Sequence, residues 1–295
     1  MVPLLEYKEI KDVWIASAVD RRVRKLGFDL MWSAEPISLP KSLYTYDTLV
    51  YLRLSNKVYV DVSSPVCLPS LKRLDLVSVV YKDEDSVVRL LSSCPILIYL
   101  YAVRHSQDNV TKFSVKVPSL VALKYVNLNP KVEDIEGTLV IDSANLKEFT
   151  IEDISTNSCS IENKPSLDSA GLYYFSYPDD KFMKSLSSIR YLGICLNVET
   201  GLFKNKDFPL SFKQPDGVPP LCLSTKLEMF KWEEYRGTRE EKQVLGYILA
   251  NSKCLKRVGI NLKPTWKWNE KKMIKELKSM YRISTTSQLL LYTLS

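Results

Sequence analysis

An apolar pattern, Leu-x-x-Leu-x-Leu with apolar substitutes, recurs along most of the chain, as in Leu71, Leu74 and Leu76. Its copies begin at residues 23, 49, 71, 97, 120, 146, 167, 189, 227 and 255. Most steps between copies measure 21 to 26 residues, and the step from 189 to 227 measures 38. An internal period constrains the fold strongly, because each unit must bury its apolar side chains against its neighbours. The long step predicts that one copy there is degenerate or partly deleted.

This period lies in the range of roughly 20–29 residues that leucine-rich repeats have. Each copy predicts one short strand whose alternate side chains point into a shared core. The prediction is an α/β leucine-rich-repeat solenoid, with a curved parallel sheet and helical or irregular returns. Residues 86–93 and the segment around Phe182 and Leu186 have helical spacing, whereas Ser114 to Pro118 is predicted to hold no more than a turn.

From about Leu221 the pattern changes to a predicted α-β-α-β module that caps the solenoid. Thr238 and Glu241 have the spacing of a capping box before an apolar helical stripe at residues 244–249. A strand is predicted over 255–260, and a second helix follows Asn269 with apolar positions as far as Tyr281. A last strand is predicted over 288–292. We therefore divide the chain into a repeat region, 1–220, and a C-terminal module, 221–295.

Several segments, in this order, resemble the plant F-box/FBD/LRR-repeat family. The segments 227–238, 247–251, 255–256 and 273–277 are similar to its FBD domain, and residues 14–23 are similar to the segment that follows the F-box. The motifs at 39–43, 67–71 and 90–95 are similar to its repeats. The resemblance covers nearly the whole chain and implies the substrate-recognition part of an SCF-type ubiquitin ligase, which contributes no catalytic residue.

One departure from the family's pattern concerns the F-box, the module of ~40 residues through which the resemblance implies docking to the SCF adaptor. Only 13 residues precede Trp14, and they do not resemble an F-box. We expect this chain to act without its own F-box and not to bind the adaptor. The expected partner is an unknown protein target.

Other features argue against an enzyme, a cofactor, a metal site and a membrane protein. No run approaches about 18 apolar residues, the N-terminus has no basic region before an apolar stretch, and the six cysteines show no Cys-x-x-Cys. We expect these cysteines to be buried and the protein to be cytoplasmic or nuclear. The single histidine, His105, follows a predicted strand without a recognisable nucleophile motif, and Asp83 to Asp85 fit a helix start better than a metal site.

The third and fifth positions of each copy should face away from the core, on the concave side of the sheet. We predict partner contact at these positions, because Tyr and Arg contribute much of the energy of protein interfaces. The candidates are Tyr51, Arg53, Arg73, Asp75, Tyr99, Tyr101, Lys124, Glu148, Tyr191, Lys231 and Arg257. The same alternation predicts that Leu74 matters to folding and that the outward-facing Asp75 matters little. An exposed strand face also favours Tyr for its β-propensity alone.

A basic stretch near the C-terminus supports an alternative function, that of a nucleic-acid-binding or free scaffold protein. Between 253 and 282 there are ten Lys or Arg against two Glu. Such a patch could bind nucleic acid or an acidic partner, although it is also typical of a solvated helical face. Trp266 and Trp268 in this stretch could stack on a base or pack against the module.

Overall fold

The computed structural model describes residues 13–30, 35–62, 66–104, 108, 110–128, 137–154, 158–163, 165–175, 180–196, 221–263 and 269–293. The chain forms two compact units. The first comprises Met1–Leu146 and Ser155–Pro165, and the second comprises Lys147–Ile154 and Ser166–Ser295. Each unit contains a main parallel sheet. The predicted division at residue 220 into repeats and C-terminal module stays a prediction.

The main sheet of the first unit follows helix α1 (residues 13–20) and takes one strand from each repeat copy. Its strands are β1 (Lys25–Asp29), β3 (Tyr51–Ser55), β5 (Arg73–Val77), β7 (Tyr99–Val103) and β9 (Ala122–Asn127), hydrogen-bonded in that order. Every pair is parallel, and Leu74 lies opposite Leu52 on one side and Leu100 on the other. Equivalent positions of successive copies therefore lie side by side, which confirms the repeat.

The return segments of the first unit form two smaller parallel sheets and short helices. One sheet contains β2 (Ile37–Ser38), β4 (Val58–Val60) and β6 (Val80–Tyr81), and the other β8 (Lys112–Val115), β10 (Thr138–Ile141) and β12 (Ser158–Ile161). A 3-10 helix covers Lys41–Thr45, and helix α2 covers Glu84–Ser92. The prediction of only a turn at Ser114 to Pro118 is wrong, because β8 satisfies its backbone hydrogen bonds by pairing with β10.

The second unit is also built from strands that alternate with return segments. Its main sheet contains β11 (Glu148–Asp153), β13 (Ser169–Phe175), β14 (Tyr191–Leu196), β15 (Met229–Tyr235), β16 (Arg257–Leu262) and β17 (Gln288–Thr293). All of these pair in parallel in that order. The helices are α3 (Asp180–Ser185), α4 (Leu221–Thr225), α5 (Arg239–Asn251) and α6 (Glu270–Ser279). The predicted α/β leucine-rich-repeat fold is confirmed, with a parallel sheet in both units.

The predicted C-terminal module supplies the last strands of this sheet. Both hydrogen bonds of the Thr238–Glu241 capping box are present, and the Asn269 side chain accepts from the amide of Lys272 at 3.0 Å. The prediction that the second helix extends to Tyr281 is wrong. Met280 has extended backbone angles and ends α6, so Tyr281 leaves the helix and is 70% exposed.

The core of each unit consists of the apolar positions of the repeat. Leu52, Leu74 and Leu100 are fully buried in the first unit, as Val258 and Ile260 are in the second. The expectation that all six cysteines are buried is wrong for three of them. Cys67 and Cys254 lie in connections between elements and are exposed, and Cys159 on β12 is only half-buried. The hypotheses for His105, Trp266 and Trp268, and most of the 38-residue step, fall outside the described residues.

A core substitution tests the inward assignment of the repeat. Leu74→Ala should lower the free energy of unfolding by about 2–5 kcal/mol, because it leaves a cavity between neighbouring repeats. The control is Leu290→Ala on β17, where the side chain is 39% exposed and little burial is lost. Urea unfolding followed by circular dichroism measures both variants. Equal losses at the two positions would contradict the assignment.

Candidate functional site

The open face of the first unit, meaning the face of its main sheet that carries the third and fifth repeat positions, gathers most of the predicted site residues. The register places Tyr51, Arg73 and Tyr99 side by side on β3, β5 and β7. The neighbouring row contains Arg53, Asp75, Tyr101 and Lys124, on β3, β5, β7 and β9. Residues far apart in sequence thus form one continuous surface, which we call the Tyr/Arg cluster.

Arg73 lies between two tyrosine rings at the centre of this cluster. Its guanidinium carbon is 5.3 Å from the ring centroid of Tyr51 and 4.6 Å from that of Tyr99. Both distances are within the range of cation–π attraction, in which the negative face of the ring stabilises the cation. The planar guanidinium is therefore held at a defined place on the sheet although its side chain remains 50% exposed.

Asp75 is buried beneath these side chains, which corrects the expectation that it faces solvent. Its side chain is 1% exposed. Arg73 donates to it twice, from Nε to Oδ1 at 3.0 Å and from Nη2 to Oδ2 at 3.1 Å. The hydroxyl of Tyr51 donates to Oδ2 at 2.9 Å, and Arg53 forms an ion pair at 3.6 Å. Two cations and a hydroxyl thus compensate for the water that this carboxyl group loses on burial.

The electrostatics of the cluster favour fixed charges rather than proton transfer. Partial burial, followed by the hydrogen bond to Asp75, raises the pKa of the Tyr51 phenol. The hydrogen bond to Asp75 raises the pKa of Arg73. At neutral pH the phenol keeps its proton and the guanidinium keeps its charge. The arrangement can bind and orient a ligand.

Two lysines extend the Tyr/Arg cluster across the sheet. Lys124 on β9 lies with its Nζ 5.7 Å from the ring centroid of Tyr101. Lys25 on β1 is exposed and lies opposite Tyr51. Sequence reasoning missed Lys25 because the copy that begins at Val23 is weak, yet Lys25 occupies its third position. Reading the outward positions of the weak copies would have found this residue.

The other candidates lie in the second unit and do not form one cluster. Glu148 and Arg257 are exposed at the starts of β11 and β16. Lys231 pairs with Glu233 at 2.5 Å, and this contact raises the pKa of the lysine. Met229 stands between Tyr191 and Arg257 in the register of the sheet.

Glycines on the face of the second unit hold an aromatic ring that sequence reasoning also missed. A Cβ at Gly171 would lie 2.7 Å from Cε2 of Tyr173, and a Cβ at Gly193 would lie 3.0 Å from the Tyr173 hydroxyl. The ring therefore lies across both glycines, and burial raises the pKa of Tyr173 to about 12. Gly171 is the fifth position of the weak copy that begins at Leu167. The outward positions of this copy were not among the predicted site residues.

The acidic run at Asp83 has a structural role in the part of the chain that the structure describes. Asp83 caps α2 by accepting from the amide of Ser86 at 2.7 Å, as expected for a helix start. Glu84 accepts from the amide of Lys112 at 2.8 Å. Among the described residues, no group of three His, Cys, Asp or Glu side chains could hold a metal ion. No described helix is long and apolar enough to cross a membrane.

Comparisons with known proteins identify the family. The model for the leucine-rich repeats of FBD-associated F-box proteins matches residues 11–179, and the FBD model matches residues 214–260. A relative from Arabidopsis thaliana, described as F-box/FBD/LRR-repeat protein At1g22000, is 42% identical over an alignment 341 positions long, which covers 95% of this chain and 72% of the relative. The chain belongs to the plant F-box/FBD/LRR-repeat family.

A second Arabidopsis thaliana relative supports this assignment. The protein described as FBD-associated F-box protein At1g05080 is 38% identical over an alignment 333 positions long, which covers 94% of this chain and 75% of the relative. No solved structure matches the chain. The resemblance drawn from the sequence motifs is therefore confirmed at the level of the family, and the FBD match includes β15 and most of β16.

The buried carboxylate of this F-box/FBD/LRR-repeat chain can be tested by removing its charge. Asp75→Asn should lower the free energy of unfolding by about 1–3 kcal/mol, because the hydrogen bonds from Arg73 and Tyr51 lose their charged acceptor. The matched control is Asp61→Asn, whose carboxylate pairs with Lys82 at 3.2 Å near the surface and should cost less than about 1 kcal/mol. Urea unfolding at pH 7 compares the two, and equal losses would contradict the role of burial.

Proposed function

We propose that this chain recognises a protein target through the open face of its first unit. The observation that supports the proposal most directly is Arg73, which is fixed between Tyr51 and Tyr99 and held from below by Asp75. A side chain that is already ordered loses little conformational entropy on binding. Tyrosine and arginine are also the residue types that contribute most at interfaces. The proposed role is binding, without catalysis by this chain, in the cytoplasm or the nucleus.

Recognition of this kind would serve an SCF-type ubiquitin ligase. The names of the relatives include the F-box, and in the family that this sequence resembles the F-box docks the adaptor while repeats and FBD face the substrate. We infer that the repeat and FBD regions of this chain supply the recognition part. Coupling to ubiquitin transfer would go through an F-box.

Nucleic-acid binding through the basic C-terminal stretch is the alternative, and the ion pairs there reduce its support. Lys256 pairs with Glu228 at 2.7 Å, and Lys263 pairs with Glu234 at 2.5 Å. Part of the positive charge is therefore neutralised within the second unit. A salt titration separates the two functions, because phosphate contacts would make affinity fall steeply with salt concentration.

A proximity-labelling experiment in plant tissue tests target recognition. A labelling enzyme is fused to the unaltered chain, to Tyr99→Ala and to Tyr59→Ala. Tyr59 is the matched control, since it is a half-buried tyrosine on the return strand β4 of the same unit. Targets should lose about tenfold or more of their labelling with Tyr99→Ala, as expected for an interface hot spot, and keep it with Tyr59→Ala. If no protein distinguishes the two variants, the open face is not the recognition surface.

A calorimetric titration tests the separation of recognition from the ligase. The purified chain and the SCF adaptor should show no binding heat, because the adaptor is expected to need an F-box. The positive control is a chimera that carries a relative's F-box before residue 13. Its binding should show that the adaptor preparation is active. Binding of the unaltered chain with a dissociation constant of about 1 μM or tighter would refute the separation and point to a docking surface within these residues.

A further inference from the structure

Positive charge predominates among the side chains of the Tyr/Arg cluster. Four cations, Lys25, Arg53, Arg73 and Lys124, lie in two adjacent rows of the sheet, and the buried carboxylate of Asp75 pairs with the two arginines. Asp29, in the next row of β1, is hydrogen-bonded by the side-chain amide of Asn56. We propose that the cluster binds an acidic peptide segment of the target, rich in Asp or Glu. This inference rests on the proposed function and names the chemistry of its ligand.

The placement of Asp75 directs the positive charge outwards. Its two oxygens lie below the guanidinium groups and already accept hydrogen bonds from Arg73 and Tyr51. The side chains of Arg73 and Arg53 are 50% and 37% exposed, whereas that of Asp75 is 1% exposed. An approaching carboxylate therefore meets cations first.

The spacing of the cations fits an extended peptide that crosses the strands. Neighbouring strands lie roughly 4.8 Å apart, so the distance from β1 to β9 is about 19 Å across the sheet. An extended chain rises about 3.3 Å per residue, and about six residues would cover this distance. Cations stand on β1, β3, β5 and β9, while β7 carries Tyr99 and Tyr101. Acidic side chains at alternate positions of the peptide could reach the cations, with an apolar or aromatic contact at β7.

Fluorescence anisotropy tests this with a labelled peptide of ten alternating Glu and Ala residues. The controls are the equivalent Gln/Ala and Lys/Ala peptides and a single-stranded oligothymidylate of the same charge as the Glu peptide. The Glu peptide should bind the unaltered chain at about 50 mM salt, where screening is weak, and the two control peptides should not. The double variant Lys25→Gln/Lys124→Gln leaves the contacts of Asp75 intact and should weaken this binding about tenfold.

A second double variant controls for net charge. Lys271→Gln/Lys275→Gln removes the same charge from the exposed surface of α6 and should change the affinity less than about twofold. The proposal is overturned if the Glu peptide does not bind, if both double variants weaken it equally, or if the oligothymidylate binds more tightly and responds to the α6 variant. The last result would assign the charge to nucleic acid.

The outcome can be separated from that of the proposed function. If the labelling of targets falls with Tyr99→Ala but stays unchanged with Lys25→Gln/Lys124→Gln, the open face recognises a protein and the acidic ligand is wrong. If the Glu peptide binds as expected while Tyr99→Ala and Tyr59→Ala label alike, the surface binds acidic peptides and the proposed recognition of targets through this face fails.

Discussion

The parallel register between successive repeats is the constraint on which the rest of this structure depends. A strand such as β5 can bury Leu74 and Leu76 only against the matching apolar residues of its neighbours, because one repeat alone encloses no core. A slip of one residue would turn these side chains to the other face. Because side chains alternate along a strand, fixing the inward positions also fixes where the outward side chains lie. The rows of Tyr51, Arg73 and Tyr99 follow from the burial of leucine.

This dependence explains how the polar cluster is held in place on the face of the sheet. Arg73 has partners on both sides because the register brings a tyrosine from each neighbouring strand beside it. Asp75 is surrounded for the same reason, by the longer side chains of Tyr51, Arg53 and Arg73. The returns vary between strands, 3-10 turns and helices, and this variation leaves the rows intact. The composition of this face thus depends on the outward positions of the strands and not on the structure of the return segments.

The features that a local pattern determines could be predicted from the sequence. Apolar spacing predicted the strands around Leu74, and cap chemistry predicted the helix starts at Asp83, Thr238 and Asn269. The features that depend on neighbouring repeats could not be predicted. The burial of Asp75 needs side chains from the preceding repeat, and β8 exists because β10 and β12 pair beside it. The face was predicted as a set of outward residues, but not as a cluster with a buried centre.

The buried carboxylate also limits how such a face can change. Replacing Tyr99 or Lys124 alters what the surface presents, since neither donates to Asp75 in the contacts that hold its oxygens. Replacing Arg73 would remove two donors from a carboxylate that has lost its water, and such losses are costly in a buried ion pair. The cluster therefore has a fixed centre and a variable rim. Differences in specificity among such chains should arise at the rim, where substitutions leave the folding of the repeat nearly unchanged.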